Sequence, residues 1–189
     1  MKLKLILSGL TVALLLVFGS SFQENKTNAI QLKKGQKIAL IGGNLGSRML
    51  NYDHFDTEMQ LRYPDSLLTI RNLCDGGDTP GFRPHSARFS PWAFPGAEIY
   101  QTEYANNSES EGFFPTPDQW LGNLETDVVI AFFGFNESFS GKEGLINFKK
   151  ELEAFINHSQ NQTYNGHSAP QLVLVSPTAY EDLSLEMDV

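Results

Sequence analysis

The chain has 189 residues, 41% of them hydrophobic, which is enough for one domain with a real core. Its formal net charge is -8, or -10 (12 basic against 22 acidic residues) once the amino-terminal segment carrying Lys2 and Lys4 is set aside. That balance argues against a nucleic-acid partner, and the single cysteine, Cys74, excludes an internal disulfide and any Cys-x-x-Cys pair for zinc or haem attachment.

Residues 1–21 join a basic start to an apolar stretch, Leu5 to Phe18, and then to the small residues Gly19, Ser20 and Ser21. This is the pattern of a secretory signal peptide. The alternative is an uncleaved membrane anchor, although the run is short of the ~20 residues that a span needs. Both readings place the rest of the chain outside the cytoplasm, periplasmic or extracellular. Residues 22–34 are polar and unpatterned, a flexible lead-in, and the domain is expected over 35–189.

Lys37 to Arg48 reads as strand, glycine-rich turn and helix: Ile38 to Ile41 is a buried-strand run, Gly42, Gly43 and Gly46 give backbone freedom, and Asn44 or Ser47 is placed to cap the helix. Ser47 to Tyr63 carries Met49, Leu50, Phe55, Met59 and Leu61 as an imperfect helical face that ends before Pro64. Leu67 to Ile70 is a second strand, running into the turn-rich segment Asn72 to Pro80. From Pro80 to Pro117 the chain is rich in proline and aromatics without periodicity, which predicts an ordered insertion over the carboxyl edge of a sheet. Pro117 to Leu124 has a helix-start composition, Val128 to Phe133 is a buried strand, Gly144 to Ser159 an amphipathic helix, and Leu172 to Val175 a last strand. Strands alternating with helices predict an α/β fold: a three-layer, flavodoxin-like sheet of parallel strands with helices on both faces.

Three strand ends share one composition: Gly42-Gly43-Asn44, Asn72 through Thr79, and Gly134-Phe135-Asn136-Glu137. In this order, each after a strand, they resemble the SGNH, or GDSL-like, esterase and lipase superfamily, over about Lys37 to Ser176. The resemblance implies the SGNH hydrolase fold and action on ester bonds, including those of acetylated carbohydrate. It implies that Gly77, through its backbone N–H, and Asn136, through its side-chain amide, bind an oxyanion. It also puts Asn44 where the family has its nucleophilic serine. An amide does not form an acyl-enzyme by the usual route, and Ser47, one helical turn further on, is the nearest hydroxyl along the chain. The family's Asp-x-x-His segment has no counterpart, since none of His54, His85, His158 and His167 has an aspartate three residues before it. Of these, His85 has a route to the strand ends.

Arg62 to Asp65, Gly81 to His85, Trp92 to Gly96 and Phe132 to Ser138 further resemble amino-terminal SGNH-like modules of large exported bacterial proteins. Those proteins continue into dehydrogenase-like propeller and c-type haem modules, so the resemblance implies an incomplete SGNH domain and downstream modules of a longer polypeptide as partners. No cofactor or metal is implied for these residues themselves.

Two functions follow: an exported ester hydrolase with altered catalytic residues, or a non-catalytic module of the same fold that binds a glycan or docks its neighbours. A third reading makes Gly42 to Gly46 a dinucleotide turn with Arg71 on a 2′-phosphate, but the glycine spacing does not fit. Asp75, Asp78 and Glu137 have the chemistry of acid, base or metal ligand as well as of turn formers. Arg71, Arg83 and Arg88 are suited to a carboxylate or sulfate, or to solvent.

Overall fold

Four short strands form one all-parallel sheet: β1 (Lys37–Gly42), β2 (Thr69–Asn72), β3 (Val128–Phe132) and β4 (Gln171–Val175), in the order β2-β1-β3-β4. The computed structural model describes residues 30–84, 90–100 and 112–178. The expected signal segment, residues 22–29 of the lead-in, and His85, Arg88 and Phe89 lie outside the described residues.

Strand β1 is central because it is apolar on both sides: Ile38, Ala39, Leu40 and Ile41 are all buried. Ile38 sits between Ile70 of β2 and Val128 of β3, and Leu40 between Asn72 and Ile130. Side-chain alternation then divides the core in two. Ile38, Leu40, Ile70, Val128 and Phe132 face one way, covered by Met49 of α1 (Asn44–Met49) and by Phe55 and Met59 of α2 (His54–Arg62). Ala39, Ile41, Val129 and Ala131 face the other, under Leu121 of α3 (Pro117–Asn123) and Phe155 of α5 (Gly141–Gln160). Between β3 and α5 lies a single turn, α4 (Phe135–Ser138). The molecule therefore has three layers, with helices on both faces of a parallel sheet.

The expected helix from Ser47 to Tyr63 is two helices. The chain breaks at 50–53, where Asp53 takes a left-handed conformation at φ 48° that suits a short polar residue and starts a new helix direction. Neither Asn44 nor Ser47 caps α1. The cap position is Gly43, with no side-chain bond, and Asn44 is already helical. Strand β2 starts two residues later than expected because Leu67 lies at φ 49°, outside strand geometry. The α3 start does follow from its sequence: the Thr116 hydroxyl accepts the Gln119 N–H, and the Gln119 side chain accepts the Thr116 N–H.

On α5 the inward stripe is Phe148, Leu152, Phe155 and Ile156, as spaced, but Leu145 is left 47% exposed while Glu151 is 1% exposed. The proline-rich insertion contributes Ala93, Phe94 and Ala97 to the α5 side of the core, and contains a short 3-10 turn at Ala97–Tyr100. Among the described residues no helix is long and apolar enough to cross a membrane.

Candidate functional site

From β1 the chain moves to β2 on one side, and β3 then pairs on the other side. The carboxyl ends of β1 and β3 thus flank a topological switch point, where diverging connections leave a crevice. Three turns meet there.

The first is Gly42-Gly43-Asn44. The Gly43 N–H donates to the Phe132 carbonyl at 2.9 Å, tying this turn to the end of β3. The second turn follows β2 and is held from beneath. The Asn72 amide donates to the Gly46 carbonyl at 2.8 Å, its oxygen accepts the Cys74 N–H at 2.9 Å, and the Asp75 N–H donates to the Gly42 carbonyl at 2.9 Å. The third turn opens with Gly134 at φ 109°, whose N–H donates to Glu137 Oε2 at 2.9 Å.

Asn136 joins the second and third turns. Its Nδ2 donates to the Asp78 carbonyl at 2.9 Å, which uses one of its two N–H groups and leaves the other for a ligand. Gly43 makes that bond possible, since an added Cβ would lie 2.9 Å from Asn136 Nδ2 and 3.1 Å from the Asp78 oxygen. Asn44 faces the second turn: a Cβ on Gly76 would come 3.1 Å from Asn44 Oδ1. Asn44 at Gly76 and Asn136 at Asp78 therefore bracket Gly77, which sits at φ 92°. Among the described residues the Gly77 N–H has no acceptor. Ser47 lies a turn into α1, bonded through its N–H to the Gly43 carbonyl at 3.1 Å, and neither it nor Asn44 lines the neighbouring groove.

The crevice opens into a groove of about 600 Å³. It is lined by Gly77 and Thr79 of the second turn, by Phe82 just after it, and by Asn136, Glu137 and Phe148 of α4 and α5, among others. No lysine, arginine or histidine lines it among the described residues.

Three buried charged groups, Asp78, Arg83 and Glu151, shape its surroundings. Asp78 and Arg83 form an ion pair, 3% and 4% exposed, with Arg83 Nε donating to Asp78 Oδ2 at 2.7 Å and Nη2 donating to the Leu73 carbonyl. Arg83 is thus structural and buried, not the solvent-facing anion binder its loop position allowed. Arg71 is exposed and donates to the Ile70 carbonyl. Glu151 Oε1 accepts the Thr79 hydroxyl at 2.8 Å and the Gly81 N–H at 3.1 Å, pinning the second turn to α5. Sequence reading passed over it; the signal was its place in the same stripe as Phe148, Leu152 and Phe155, where a charge needs a buried partner.

Glu137 adjoins Asn136 in sequence as Asp78 adjoins Gly77, and of the two Asp78 is paired with Arg83. Burial pushes the Glu137 carboxyl up to about 7, against the two backbone N–H bonds that lower it and with the charge of Glu151 adding to the rise. A carboxyl raised in the folded state contributes stability that is fully present below its unfolded value of 4.5 and is lost as pH climbs through about 7. Glu137→Gln keeps an oxygen for the Gly134 N–H but has no charge to bury. Urea unfolding is expected to show little difference from wild type at pH 4 and a variant more stable by about 2 kcal/mol at pH 8.

The described histidines are elsewhere. His158 Nε2 lies 2.8 Å from Asp118 Oδ1, which also accepts the Tyr164 hydroxyl at 2.6 Å, and the imidazole stacks on Phe94 at 4.9 Å. This cluster braces α3 against α5. Burial, with Asp118 beside it, raises the Tyr164 phenol well above its usual range. His54 and His167 are exposed. Burial likewise raises the Cys74 thiol far above normal, as befits a small core residue under Gly46. Among the described residues no group of three or more His, Cys, Asp or Glu is arranged to hold a metal ion.

No family model matches the chain, and neither a curated protein nor a solved structure matches it.

Proposed function

We propose that the chain is an exported SGNH-like domain whose strand-end site receives an ester, including the acetyl groups of a decorated carbohydrate, without forming a serine acyl-enzyme. The observation that carries this reading is the bracketing of Gly77, with its unengaged N–H, between Asn136 and Asn44. Two donors converging from separate turns are suited to a carbonyl oxygen or the oxyanion it becomes. The groove beside them supports a neutral, hydroxyl-rich carrier, because among the described residues it offers aromatic faces, amides and hydroxyls and no cation for an anionic one. Asn44 at the nucleophile position, and the absence of any histidine from the groove lining among the described residues, support the exclusion of the acyl-enzyme route.

The test is calorimetric titration of the full chain with an acetylated and a deacetylated xylo-oligosaccharide, alongside labelling with a fluorophosphonate. The acetylated ligand is expected to bind, the deacetylated one more weakly, and Asn136→Ala to lose about tenfold in affinity. Fluorophosphonate is expected to label nothing. Covalent labelling of Ser47, or equal binding by wild type and Asn136→Ala, would end this reading.

A further inference from the structure

We propose that Glu137 is a catalytic residue: it transfers the proton in hydrolysis of the bound ester by water directly, in one displacement with no covalent intermediate. The inference rests on the ester-binding reading and goes beyond it, since binding alone needs no proton carrier.

The geometry limits the choice of carrier. Among the described residues lining the groove, the titratable ones are Glu137, Glu151 and Tyr100. Glu151 is fully covered and its Oε1 is committed to Thr79 and Gly81. Tyr100 belongs to the 3-10 turn, where its carbonyl accepts the Asn147 amide of α5, and it does not adjoin Gly77 or Asn136 in the chain as Glu137 adjoins Asn136. Glu137 adjoins Asn136 in α4, and its backbone turn is fixed by the bond from Gly134 to Oε2. Its other oxygen, Oε1, is buried with no hydrogen-bond partner among the described residues. A buried carboxyl oxygen left unpaired is costly, and such groups concentrate where a ligand or a proton is to be accommodated. The charged or titratable neighbours are Glu151 from α5, Tyr100 from the 3-10 turn and, across the bond from Asn136, the Asp78–Arg83 pair. A carboxyl held near neutrality exchanges its proton readily at physiological pH, and burial supplies that shift here.

The step balances without a co-reactant beyond water. The Glu137 carboxylate takes a proton from water as the water oxygen bonds to the acyl carbon. The carbonyl electron pair moves onto its oxygen, held by the Gly77 N–H and the second N–H of Asn136. When the carbonyl re-forms, the bond to the alcohol oxygen breaks, and that oxygen takes the proton from Glu137. The products are a carboxylic acid and an alcohol.

The experiment measures kcat/KM against pH for the full chain, with 4-nitrophenyl acetate and with acetylated xylo-oligosaccharide, for wild type and Glu137→Gln. Wild type is expected to gain rate with rising pH through an inflection near 7. Glu137→Gln is expected to fall by about a hundredfold or more and to lose the inflection, while still binding the acetylated ligand in the calorimeter. Because glutamine keeps the oxygen that accepts from Gly134, a folded variant is expected, and retained binding verifies that the groove is intact. A wild type that binds but does not turn over overturns the role of Glu137 and leaves ester recognition standing. Turnover with an unchanged rate and pH profile in Glu137→Gln overturns it equally. Failure of both binding and turnover removes the ester-binding reading with it.

Discussion

Arg83→Met is expected to destabilise the domain by about 3–5 kcal/mol, the usual consequence of stripping the partner from a buried charge. Asp78 and Arg83 are almost wholly covered, and the guanidinium bonds both to the Asp78 carboxylate and to the Leu73 carbonyl. With methionine in place, the packing volume of the stem is kept but the carboxylate stays buried without its cation. Urea unfolding at neutral pH measures the loss. Adding Asp78→Asn to the same chain is expected to recover part of it, since the double variant no longer buries a lone charge. The consequence reaches the site, because Asp78 carries the carbonyl that Asn136 binds. Ligand affinity is therefore expected to fall in the single variant even under conditions where it remains folded.

Gly42→Ala is expected to be as poorly tolerated, at about 3 kcal/mol or more. Gly42 ends β1 at φ 117°, where an L side chain is strained, and its added Cβ would stand 2.4 Å from the Phe132 carbonyl oxygen. That atom is backbone in the neighbouring strand, so no rotamer change relieves the contact. It is also the acceptor of the Gly43 N–H, so the substitution pries apart the ends of β1 and β3 that flank the switch point. A fall in the melting temperature, or recovery of the variant only as unfolded chain, is the expected result. A variant with wild-type stability would mean that the turn is built otherwise.

Much of the fold was legible because parallel strands buried on both faces leave an unambiguous mark. Ile38 to Ile41 and Val128 to Phe132 are continuous apolar runs ended by glycine, and both are central strands. Where local and tertiary preferences compete, the reading slipped. The apolar face from Met49 to Leu61 has helical spacing, but Asp53 turns the chain in the middle of it, and nothing in the spacing encodes that turn. The glycines at 42, 43 and 46 were readable as turn residues. Their separate duties were not, because they depend on what lies across the sheet: Gly42 avoids the Phe132 backbone, Gly43 admits the Asn136 amide, and Gly46 lets Cys74 pack on α1.

The candidate site divides in the same way. Asn44, Gly77 and Asn136 were singled out through the resemblance of three strand-end segments to a family pattern, and the strand order places their turns side by side. Arg83 looked like a loop cation, since its burial depends on the fold of the proline-rich insertion around Asp78. Glu151 was hidden inside an amphipathic stripe whose other members are apolar. Glu137 was visible as a strand-end carboxyl, but its raised affinity for a proton comes from the walls of α4 and α5, which no local motif reports.

The central claim is that Gly77 and Asn136 act together on one ligand oxygen. The most direct measurement follows the Gly77 backbone amide and the Asn136 side-chain amide by nitrogen-15 NMR during titration with acetylated xylo-oligosaccharide. Both resonances are expected to shift together and to saturate with one dissociation constant, and Asn136→Ala is expected to weaken the response at Gly77. Saturable shifts elsewhere in the domain with these two amides unmoved, or no saturable shift at all, would contradict the account.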